Sequence, residues 1–300
     1  MAEKDFAIVC DATSDLPLSF LEKARVEFVR LPPAHGSGPT AATALERTYR
    51  TLARQGFSRV VSVHSSASFS PAVDEARRAA AACADVVDVR IVASGSASAA
   101  TGMLIDRAAR YRHFDVAFED AVAGLWELAS HVRLLAIPAP SSRLVVRRPR
   151  RTRAGLIGRA AATLRVRMTG ERGLYLLSQG NVTQLARNND LDELTHRLAH
   201  AVSTVCANEG QLVHALTTSK NVRGLRAVER AIGESGVDST CLGAVLATAL
   251  TEGVLGTGAV AVAIAPRSAY WRDEATLEGL GSQDSALESS DEQNRRIGEH

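Results

Sequence analysis

The sequence predicts a two-domain α/β protein whose N-terminal domain contains a mostly parallel sheet with flanking helices. Three observations carry this prediction. The chain has 300 residues, enough for two ordinary domains. Short β-like runs alternate with helical patterns in the first half, and the composition changes near the middle of the chain. Strands that alternate with helices of this length indicate right-handed βαβ units, and therefore a parallel sheet.

The first half contains five β-like runs with helical stretches between them. The runs are FAIVC (6–10), VEFVRL (26–31), RVVSVH (59–64), VRIVA (89–93) and RLLAI (133–137). The helical stretches lie near 16–24, 43–55, 71–84, 98–112 and 116–130. The last is the clearest, because Phe118, Val122 and Leu125 begin an apolar face with a period of 3.6 residues. Residues 1–141 are therefore predicted to form the N-terminal domain.

The second half opens with an arginine-rich segment and then forms a core of its own. From Arg143 to Arg167 there are nine arginines and no acidic residue. Strands or apolar runs follow at 173–178, 211–217, 241–250 and 258–265, and helices near 190–207 and 222–234. This pattern predicts a second α/β or α+β domain over 142–270. From Arg272 onward there are eight acids and three bases, which predicts a disordered acidic tail over 271–300.

Composition narrows the classes of partner and compartment. The net charge of +2 gives no global attraction to nucleic acid, which is not expected as a partner. No apolar run reaches the roughly 18 residues of a membrane-spanning helix, and MAEKDFAIVCDATSD contains no apolar signal-peptide core. We therefore expect a cytoplasmic protein. The four cysteines are far apart in sequence, which predicts buried thiols rather than a zinc or redox pair: Cys10, Cys83, Cys206 and Cys241.

Small polar residues follow three strands of the predicted parallel sheet. They are Asp11, Thr13 and Ser14 after the first strand, Ser65, Ser66, Ser68 and Ser70 after the third, and Ser94, Ser96 and Ser98 after the fourth. Each cluster can simply cap a helix, as Ser70 would before Pro71. The three clusters would also meet at one edge of the sheet, where helix N-termini favour an anionic head group. Both interpretations stay open at the level of sequence.

Motifs for catalysis are weak throughout the chain. His196 and His200 have the spacing of metal ligands on a helix, but HRLAH lacks the HExxH glutamate, so an exposed helix face is predicted. His64 beside Ser65 does not by itself indicate a catalytic arrangement. The sequence contains no GxxxxGK[ST] loop, no GxGxxG after a strand and no GxSxG elbow. An acyl- or phosphoryl-transfer enzyme is the least favoured hypothesis, and no catalytic residue, metal or cofactor is predicted.

Five segments occur in an order that resembles one known family. DATSDLP (11–17) resembles DSTSDLP, SASFSPAVDEA (66–76) resembles SSxLSGTYxSA, and ASGSASAATG (93–102) is similar to DSxxxSxGxG. GLIGRAAATL (155–164) resembles GGRIGRAAALL, and GAVLATALTEG (243–253) resembles GPVIGTHTGPG. These are motifs of the DegV family of bacterial fatty-acid-binding proteins, which includes the acyl-carrying subunit of fatty acid kinase. The resemblance runs from about Phe6 to Pro266.

The resemblance implies a carrier rather than an enzyme. An acyl chain would lie in an apolar tunnel between the domains, with its carboxylate near the domain junction. A fatty acid kinase subunit would be the partner that receives and phosphorylates it. Burial of the chain would contribute roughly 0.8 kcal/mol per methylene. The long-chain fatty acid is the only bound ligand expected, and its contacts are expected at Ser70, Thr40, Thr248 and Ser66. Thr13 and Ser14 are also candidate contacts, but their first expected role is to end the strand and start the helix at the edge where the head group would lie.

Departures from the family motifs keep a second hypothesis open. Pro71 stands where the family has glycine, which removes a backbone N–H, and Ala249 replaces the family histidine. In GPTAATAL, Thr40 remains of a Thr-Ser pair and Ala41 replaces the serine. In this second hypothesis, the chain is an interaction or regulatory protein that keeps the fold but has lost the ligand. It would bind a partner through Arg143–Arg167.

The arginine-rich segment itself has two interpretations. It can contact an acidic partner or phosphates, including those of lipids in a transient membrane contact, or it can be a solvated linker. The absence of any acidic residue from the segment favours a functional surface slightly. The residues expected to form it are Arg147, Arg148, Arg150, Arg151 and Arg153.

Overall fold

The structure is a computed structural model that describes residues 6–32, 40–140, 142, 144 and 171–271. Its strands are β1 (Ala7–Asp11), β2 (Val26–Val29), β3 (Arg59–His64), β4 (Asp88–Ala93), β5 (Arg133–Ile137), β6 (Arg172–Ser178), β7 (Asn181–Asn188), β8 (Leu212–Thr218), β9 (Ser239–Leu246) and β10 (Val260–Pro266). Its helices are α1 (Leu18–Lys23), α2 (Ala41–Arg54), α3 (Ala72–Ala82), α4 (Ala99–His113), α5 (Phe118–His131), α6 (Leu191–Glu209), α7 (Val222–Glu234), α8 (Ala249–Leu255) and α9 (Arg267–Tyr270). The predicted α/β fold class is confirmed.

The first sheet is parallel, with the strand order β2-β1-β3-β4. The side chains of β1 alternate between two cores. Ala7 and Val9 pack with residues of α2 and α3, whereas Ile8 and Cys10 pack with residues of α4 and α5. Every residue of β1 is buried, as expected for a parallel sheet that is covered on both faces. The βαβ pattern predicted for this part of the chain is present.

The second sheet is mixed, with the strand order β7-β6-β5-β10-β8-β9. The run RLLAI is a strand as predicted, but it does not extend the parallel sheet of the first half. As β5, it pairs antiparallel with β6 and β10. Trp126 of α5 donates from its indole N–H to the Ile91 carbonyl at the β4 edge, so α5 lies where a further strand would begin. After α5 the chain therefore continues into the second sheet and not into the first.

Helix α4 lies between the two sheets and belongs to the core of both. Ten of its residues are buried, and it contacts β1 and β3 on one side and β8 and β10 on the other. One apolar cluster runs from Ile8 and Val61 through Met103 and Leu104 to Ala263. A second cluster joins the far face of the second sheet to α6 and α7. The layers are thus α2/α3, first sheet, α4/α5, second sheet and α6/α7.

The β6–β7 hairpin, which the apolar pattern does not reveal, contacts the first half of the chain at its tip. Gln179 and Gly180 form the turn with φ values of 50° and 81°, the left-handed conformations of a type I′ hairpin. The Gly180 N–H donates to the Gly95 carbonyl at 2.7 Å, and the Gln179 side chain donates to the Ser130 carbonyl at 3.1 Å. A Cβ on Gly95 would lie 3.0 Å from the Gln179 Cα. The contact therefore requires glycine at position 95.

Burial of the cysteines differs from the prediction for two of them. Cys10 and Cys83 are buried, but Cys206 is half-buried and Cys241 is exposed on the edge strand β9. Sequence periodicity does not show that β9 is an edge strand, because the position of a strand in its sheet depends on which distant segments of the chain pair with it. In the part of the chain that the structure describes, no helix is long and apolar enough to cross a membrane. The arginine-rich segment and the acidic tail lie outside the described residues, apart from Leu144 and Trp271.

Candidate functional site

The polar clusters that follow β1, β3 and β4 meet at the carboxyl edge of the first sheet. The Ser65 hydroxyl donates to the Thr13 hydroxyl at 2.7 Å and lies 3.1 Å from the Thr101 hydroxyl of α4. Thr101 in turn contacts the Ser94 hydroxyl at 2.9 Å. All four side chains are buried. The edge is therefore a continuous hydrogen-bonded network rather than three separate helix caps.

Asp11 is the charged centre of this network. One carboxylate oxygen accepts hydrogen bonds from the Thr13 N–H at 2.7 Å and the Thr13 hydroxyl at 2.6 Å. The other oxygen lies 2.6 Å from His64 Nδ1, and both side chains are fully buried. Burial alone would raise the pKa of Asp11, but the hydrogen bond and charge of His64, with the two bonds from Thr13, lower the pKa below its usual value. The carboxylate is thus held ionised in the interior.

A buried chain of hydrogen bonds continues from His64 towards α2. His64 Nε2 lies 2.8 Å from the Ser62 hydroxyl, and Ser62 lies 2.8 Å from the Tyr49 hydroxyl. The order serine, histidine, aspartate is that of a catalytic triad. Here, however, Ser62 and His64 have no exposed surface, and the Ser62 hydroxyl is already bonded to Tyr49. The arrangement can position the loop after β1, but it cannot present a nucleophile to a substrate.

Asp15 joins the two halves of the chain. Its backbone is left-handed, with φ of 59°, and its side chain is only 3% exposed. One oxygen accepts from the Ser98 hydroxyl at 2.5 Å, and the other accepts from the Thr248 N–H at 2.8 Å. The Thr248 hydroxyl donates to the Ala12 carbonyl at 2.7 Å. Burial raises the pKa of Asp15, and the hydrogen bonds from Ser98 and Thr248 offset only part of this rise.

Two further contacts strengthen the junction between the halves. The Ser98 hydroxyl lies 2.9 Å from the Thr217 hydroxyl of β8, and the Ser96 hydroxyl donates to the Leu177 carbonyl at 3.0 Å. Ser98 has φ of 56°, an uncommon conformation for a residue other than glycine. Sequence reasoning finds neither Asp15 nor Thr217 as part of the site, because their partners lie far away in the chain. The polar edge of the first sheet is thus also where the two halves of the chain meet, through Asp15, Ser98, Thr217 and Thr248; we call this contact the lobe junction.

The fold and this edge match one protein family. A model described as "Uncharacterised protein, DegV family" matches residues 33–267, more than half of the chain. This chain belongs to the DegV family. The predicted resemblance is therefore confirmed. Among curated proteins, none matches the sequence.

Solved DegV family structures share the fold over most of the chain. A protein from Corynebacterium glutamicum is 17% identical with a TM-score of 0.72, covering 87% of this chain and 97% of its own. A fatty-acid-binding member from Thermus thermophilus is 20% identical with a TM-score of 0.70, covering 87% of this chain and 99% of its own. A stearic acid-binding protein from Eubacterium ventriosum is 16% identical with a TM-score of 0.70, and the match covers 90% of this chain and 100% of that protein. The TM-scores show that these structures and this chain have a common fold.

The residues expected to bind the ligand divide into two groups in this DegV family member. Thr13, Ser14 and Thr248 are engaged within the junction. Ser14 donates to the Asp11 carbonyl oxygen at 3.2 Å, and Thr13 and Thr248 make the bonds described above. All three therefore hold the loops in place. Their hydroxyls are already committed to protein partners.

Ser70 and Thr40 lie closer to the surface at the starts of α3 and α2, whereas Ser66 is buried in the loop between β3 and α3. The Ser66 hydroxyl lies 2.8 Å from that of Ser68. The half-buried Ser70 hydroxyl accepts from the Ala72 N–H at 3.3 Å, at the start of α3. Thr40 is exposed and caps α2 through the Thr43 N–H at 3.2 Å.

The residues that depart from the DegV motifs stand at helix starts. Pro71 is the N-cap of α3 and provides no N–H, and Ala249 is the first residue of α8. The five arginines of the predicted partner surface lie outside the described residues. His196 and His200 are exposed on α6 as predicted. In the described ranges, no group of three or more histidine, cysteine or acidic side chains has the geometry of a metal site.

Proposed function

We propose that this DegV family member is a non-catalytic carrier of a long-chain fatty acid, which it presents to a fatty acid kinase subunit. The observation that carries the proposal is the shared fold with structures that are described as binding fatty acids, over 87% and 90% of this chain. The saturated network at the lobe junction supports a binding role, because it fixes the loops around a ligand without offering a reactive group. The bound fatty acid would be the only ligand, with no cofactor.

The acyl chain would lie beside the junction rather than between the centres of the two sheets. Side chains of α4 and α5 fill the space between the sheets. In contrast, Leu18, Leu246 and Leu250 are exposed by 53%, 70% and 49%, and they flank the contact between Asp15 and Thr248. They come from both halves of the chain. An apolar tunnel formed at this place would still run between the predicted domains, and each methylene buried there would contribute roughly 0.8 kcal/mol.

The carboxylate would lie near Ser70, with Ser66 and Thr40 as further donors. Helices α2 and α3 begin at the carboxyl edge of the first sheet, and their positive ends favour an anion. Ser70 and Thr40 have hydroxyls at these two helix starts. Thr13, Ser14 and Thr248 would support the site by holding the loops rather than by direct contact, since their hydroxyls already have partners.

The proposed setting is the cytoplasm, with transient contact at a membrane surface for exchange of the lipid. Cys10, Cys83 and Cys206 are free thiols, which fits a reducing compartment. Delivery to a kinase partner would involve the arginine-rich segment, Arg143–Arg167. No chemistry on the ligand is assigned to this chain.

One alternative is favoured by a specific observation. Pro71 and Ala249 stand at the starts of α3 and α8, where the family motifs have glycine and histidine. A chain that has lost both groups would keep the fold as an interaction or regulatory protein and bind a partner through Arg143–Arg167. Charge reversal of Arg147, Arg148, Arg150 and Arg151 to glutamate should then abolish partner binding. Unchanged binding would count against this alternative.

Native mass spectrometry of the purified chain tests the carrier proposal directly. We expect an adduct with the mass of a fatty acid, and a rise in melting temperature when fatty acid is added to delipidated protein. Ser70→Ala should weaken binding, whereas Ser203→Ala on α6, beyond the second sheet, should leave it unchanged. If no adduct is present and no fatty acid shifts the melting temperature, the carrier proposal is wrong.

A further inference from the structure

The loop between β8 and α7 presents an open helix N-terminus beside a lysine. Lys220, one of only three lysines in the chain, has φ of 56° and a side chain that is 74% exposed. Asn221 caps α7 by accepting from the Gly224 N–H at 2.8 Å. The first-turn amides of Val222 and Arg223 donate to no acceptor in the described part of the chain. Positive potential from the helix and the lysine therefore meets at one solvent-accessible place.

A carboxylate of the protein already contacts this lysine. A carboxylate oxygen of Glu252, from α8, accepts from the Thr257 hydroxyl at 2.5 Å and lies 3.5 Å from Lys220 Nζ. The hydrogen bond from Thr257, followed by the charge of Lys220, lowers the pKa of Glu252. Position 252 is proline in the family motif GPVIGTHTGPG, so the carboxylate is a departure of this chain. The surroundings of Lys220 thus bind an oxyanion that the protein itself supplies.

A buried hydroxyl beside the carboxylate lacks a hydrogen bond. Ser219 is only 2% exposed, and its hydroxyl has no partner within hydrogen-bond distance among the described residues. Its hydroxyl is directed towards Glu252 and is the last of the hydrogen-bonding groups that lower the pKa of that carboxyl, but it does not reach the geometry of a hydrogen bond with it. A buried polar group without a partner is unfavourable. The hydroxyl therefore favours a ligand with more acceptor oxygens than a carboxylate has.

We propose that the β8–α7 loop is a binding site for a phosphomonoester, and that Glu252 competes with the ligand for it. Three phosphate oxygens can accept from Lys220, from Ser219 and from the first amides of α7, whereas the two oxygens of Glu252 leave Ser219 unbonded. The contact of Glu252 with an exposed lysine is weak, so a dianion can displace it. This site is separate from the fatty-acid proposal and does not require it.

Titration calorimetry of the full chain with inorganic phosphate, at constant ionic strength, tests the site. Glu252→Gln removes the competing charge and should tighten phosphate binding about tenfold, equivalent to about 1.4 kcal/mol. Lys220→Met in the same background should abolish binding. Lys23→Met, which removes a lysine at the end of α1, is the matched control and should bind like its parent. Thermal melts of all variants check that each is folded.

The proposal is overturned if Glu252→Gln binds phosphate no more tightly than the wild type, or if Lys220→Met keeps the affinity. A second arm compares a single-chain alkyl phosphate with the alcohol of the same chain length. If the phosphate belongs to a lipid head group, Lys220→Met should weaken binding of the alkyl phosphate but not of the alcohol. If Lys220→Met affects only inorganic phosphate, the ligand is a free phosphate. If Lys220→Met weakens neither phosphate ligand, the site does not exist.

Discussion

Two polar edges of the molecule differ in how completely their groups are satisfied. At the carboxyl edge of the first sheet, Asp11, Thr13, His64 and Ser65 are buried, and each bonds to another member of the network. At the end of β8 in the second sheet, Lys220 is exposed and the Ser219 hydroxyl has no partner in the described part of the chain. A saturated edge can hold loops in position but has few groups left for a ligand. An unsaturated edge keeps donors available.

The largest effect is expected from breaking the saturated edge at its charge. Asp11→Ala leaves His64 and Thr13 without their buried acceptor, and it should lower the free energy of unfolding by about 3–5 kcal/mol. Urea denaturation at neutral pH measures this loss. Asp85→Ala, at an exposed carboxylate, is the control and should change stability by less than about 0.5 kcal/mol. Equal effects of the two variants would refute the role assigned to Asp11.

The pH dependence of Asp11 has a definite sign. Its pKa is lower in the folded state than in the unfolded state, so its contribution is present above the unfolded pKa of about 4 and is lost as pH falls through the folded pKa. The stability difference between the wild type and Asp11→Ala should therefore shrink on acidification below about pH 4. A difference that stayed constant would contradict the lowered pKa of Asp11 in the folded state.

A smaller effect on the free energy of unfolding, with the opposite dependence on pH, is expected at the lobe junction. Asp15→Ala removes the acceptor of Thr248 N–H and Ser98, and should lower the free energy of unfolding by about 1–3 kcal/mol. Asp15→Asn keeps an oxygen for Thr248 and can donate to Ser98, which can then donate to Thr217. Asparagine should therefore preserve most of the stability that alanine loses.

The raised pKa of Asp15 means that protonation stabilises the folded state. This contribution is complete below the unfolded pKa of about 4 and is lost as pH rises through the folded pKa. Asp15→Asn cannot ionise, so its stability relative to the wild type should improve between about pH 4 and pH 7. Thermal melts across this interval measure the change. A relative stability that fell with rising pH would show that the carboxylate is favoured in the junction.

The contribution of the hairpin-tip contact to stability can be distinguished from the cost of backbone strain. Gly95→Ala adds a Cβ 3.0 Å from the Gln179 Cα at a positive φ, and should cost about 1–3 kcal/mol. Gly236→Ala has nearly the same φ, 67°, and nothing within 4 Å of its Cβ, so it measures strain alone. Gly95→Ala should be the more destabilising of the two, and amide exchange should accelerate in β6 and β7. Equal costs would mean that the hairpin tip moves away freely.

The smallest effect is expected at Thr40. Thr40→Ala removes the cap of α2 and should lower stability by about 1 kcal/mol, whereas Thr40→Ser should retain most of it. If Thr40 also donates to the fatty-acid carboxylate, alanine should weaken binding in a titration of delipidated protein while serine does not. Binding that is equal in all three proteins would limit Thr40 to its capping role.

The helices and buried strands could be predicted because their signals are local. The apolar face of α5 and the run RVVSVH of β3 are examples, and the structure has both at nearly the predicted residues. β7 was missed because an exposed edge strand, with Asn181 and Thr183 outward, lacks an apolar run. The partners of β5 could not be predicted, since pairing with β6 and β10 depends on residues up to 131 positions away in the chain, as in the pair of Arg133 with Ile264.

The candidate site was predictable only in part. Three hydroxyl clusters at strand ends indicated a common edge, because parallel strands end at the same side of a sheet. The bond between Asp11 and His64 could have been considered, since both residues end neighbouring strands and face the same helices. The role of Asp15 could not, because its partner Thr248 is 233 residues away in sequence.

The position of β5 limits how the chain can be divided. This strand is contributed by the first half, but it lies between β6 and β10 in the interior of the second sheet. A cut after residue 137 would leave the C-terminal fragment without a central strand and the N-terminal fragment with an unpaired apolar one. A cut before residue 133 would keep the second sheet complete but would separate it from α4 and α5, whose side chains pack against one of its faces. Neither half should therefore be an autonomous module. The whole chain should unfold in one cooperative step. In related proteins the two halves should be inherited together rather than recombined separately.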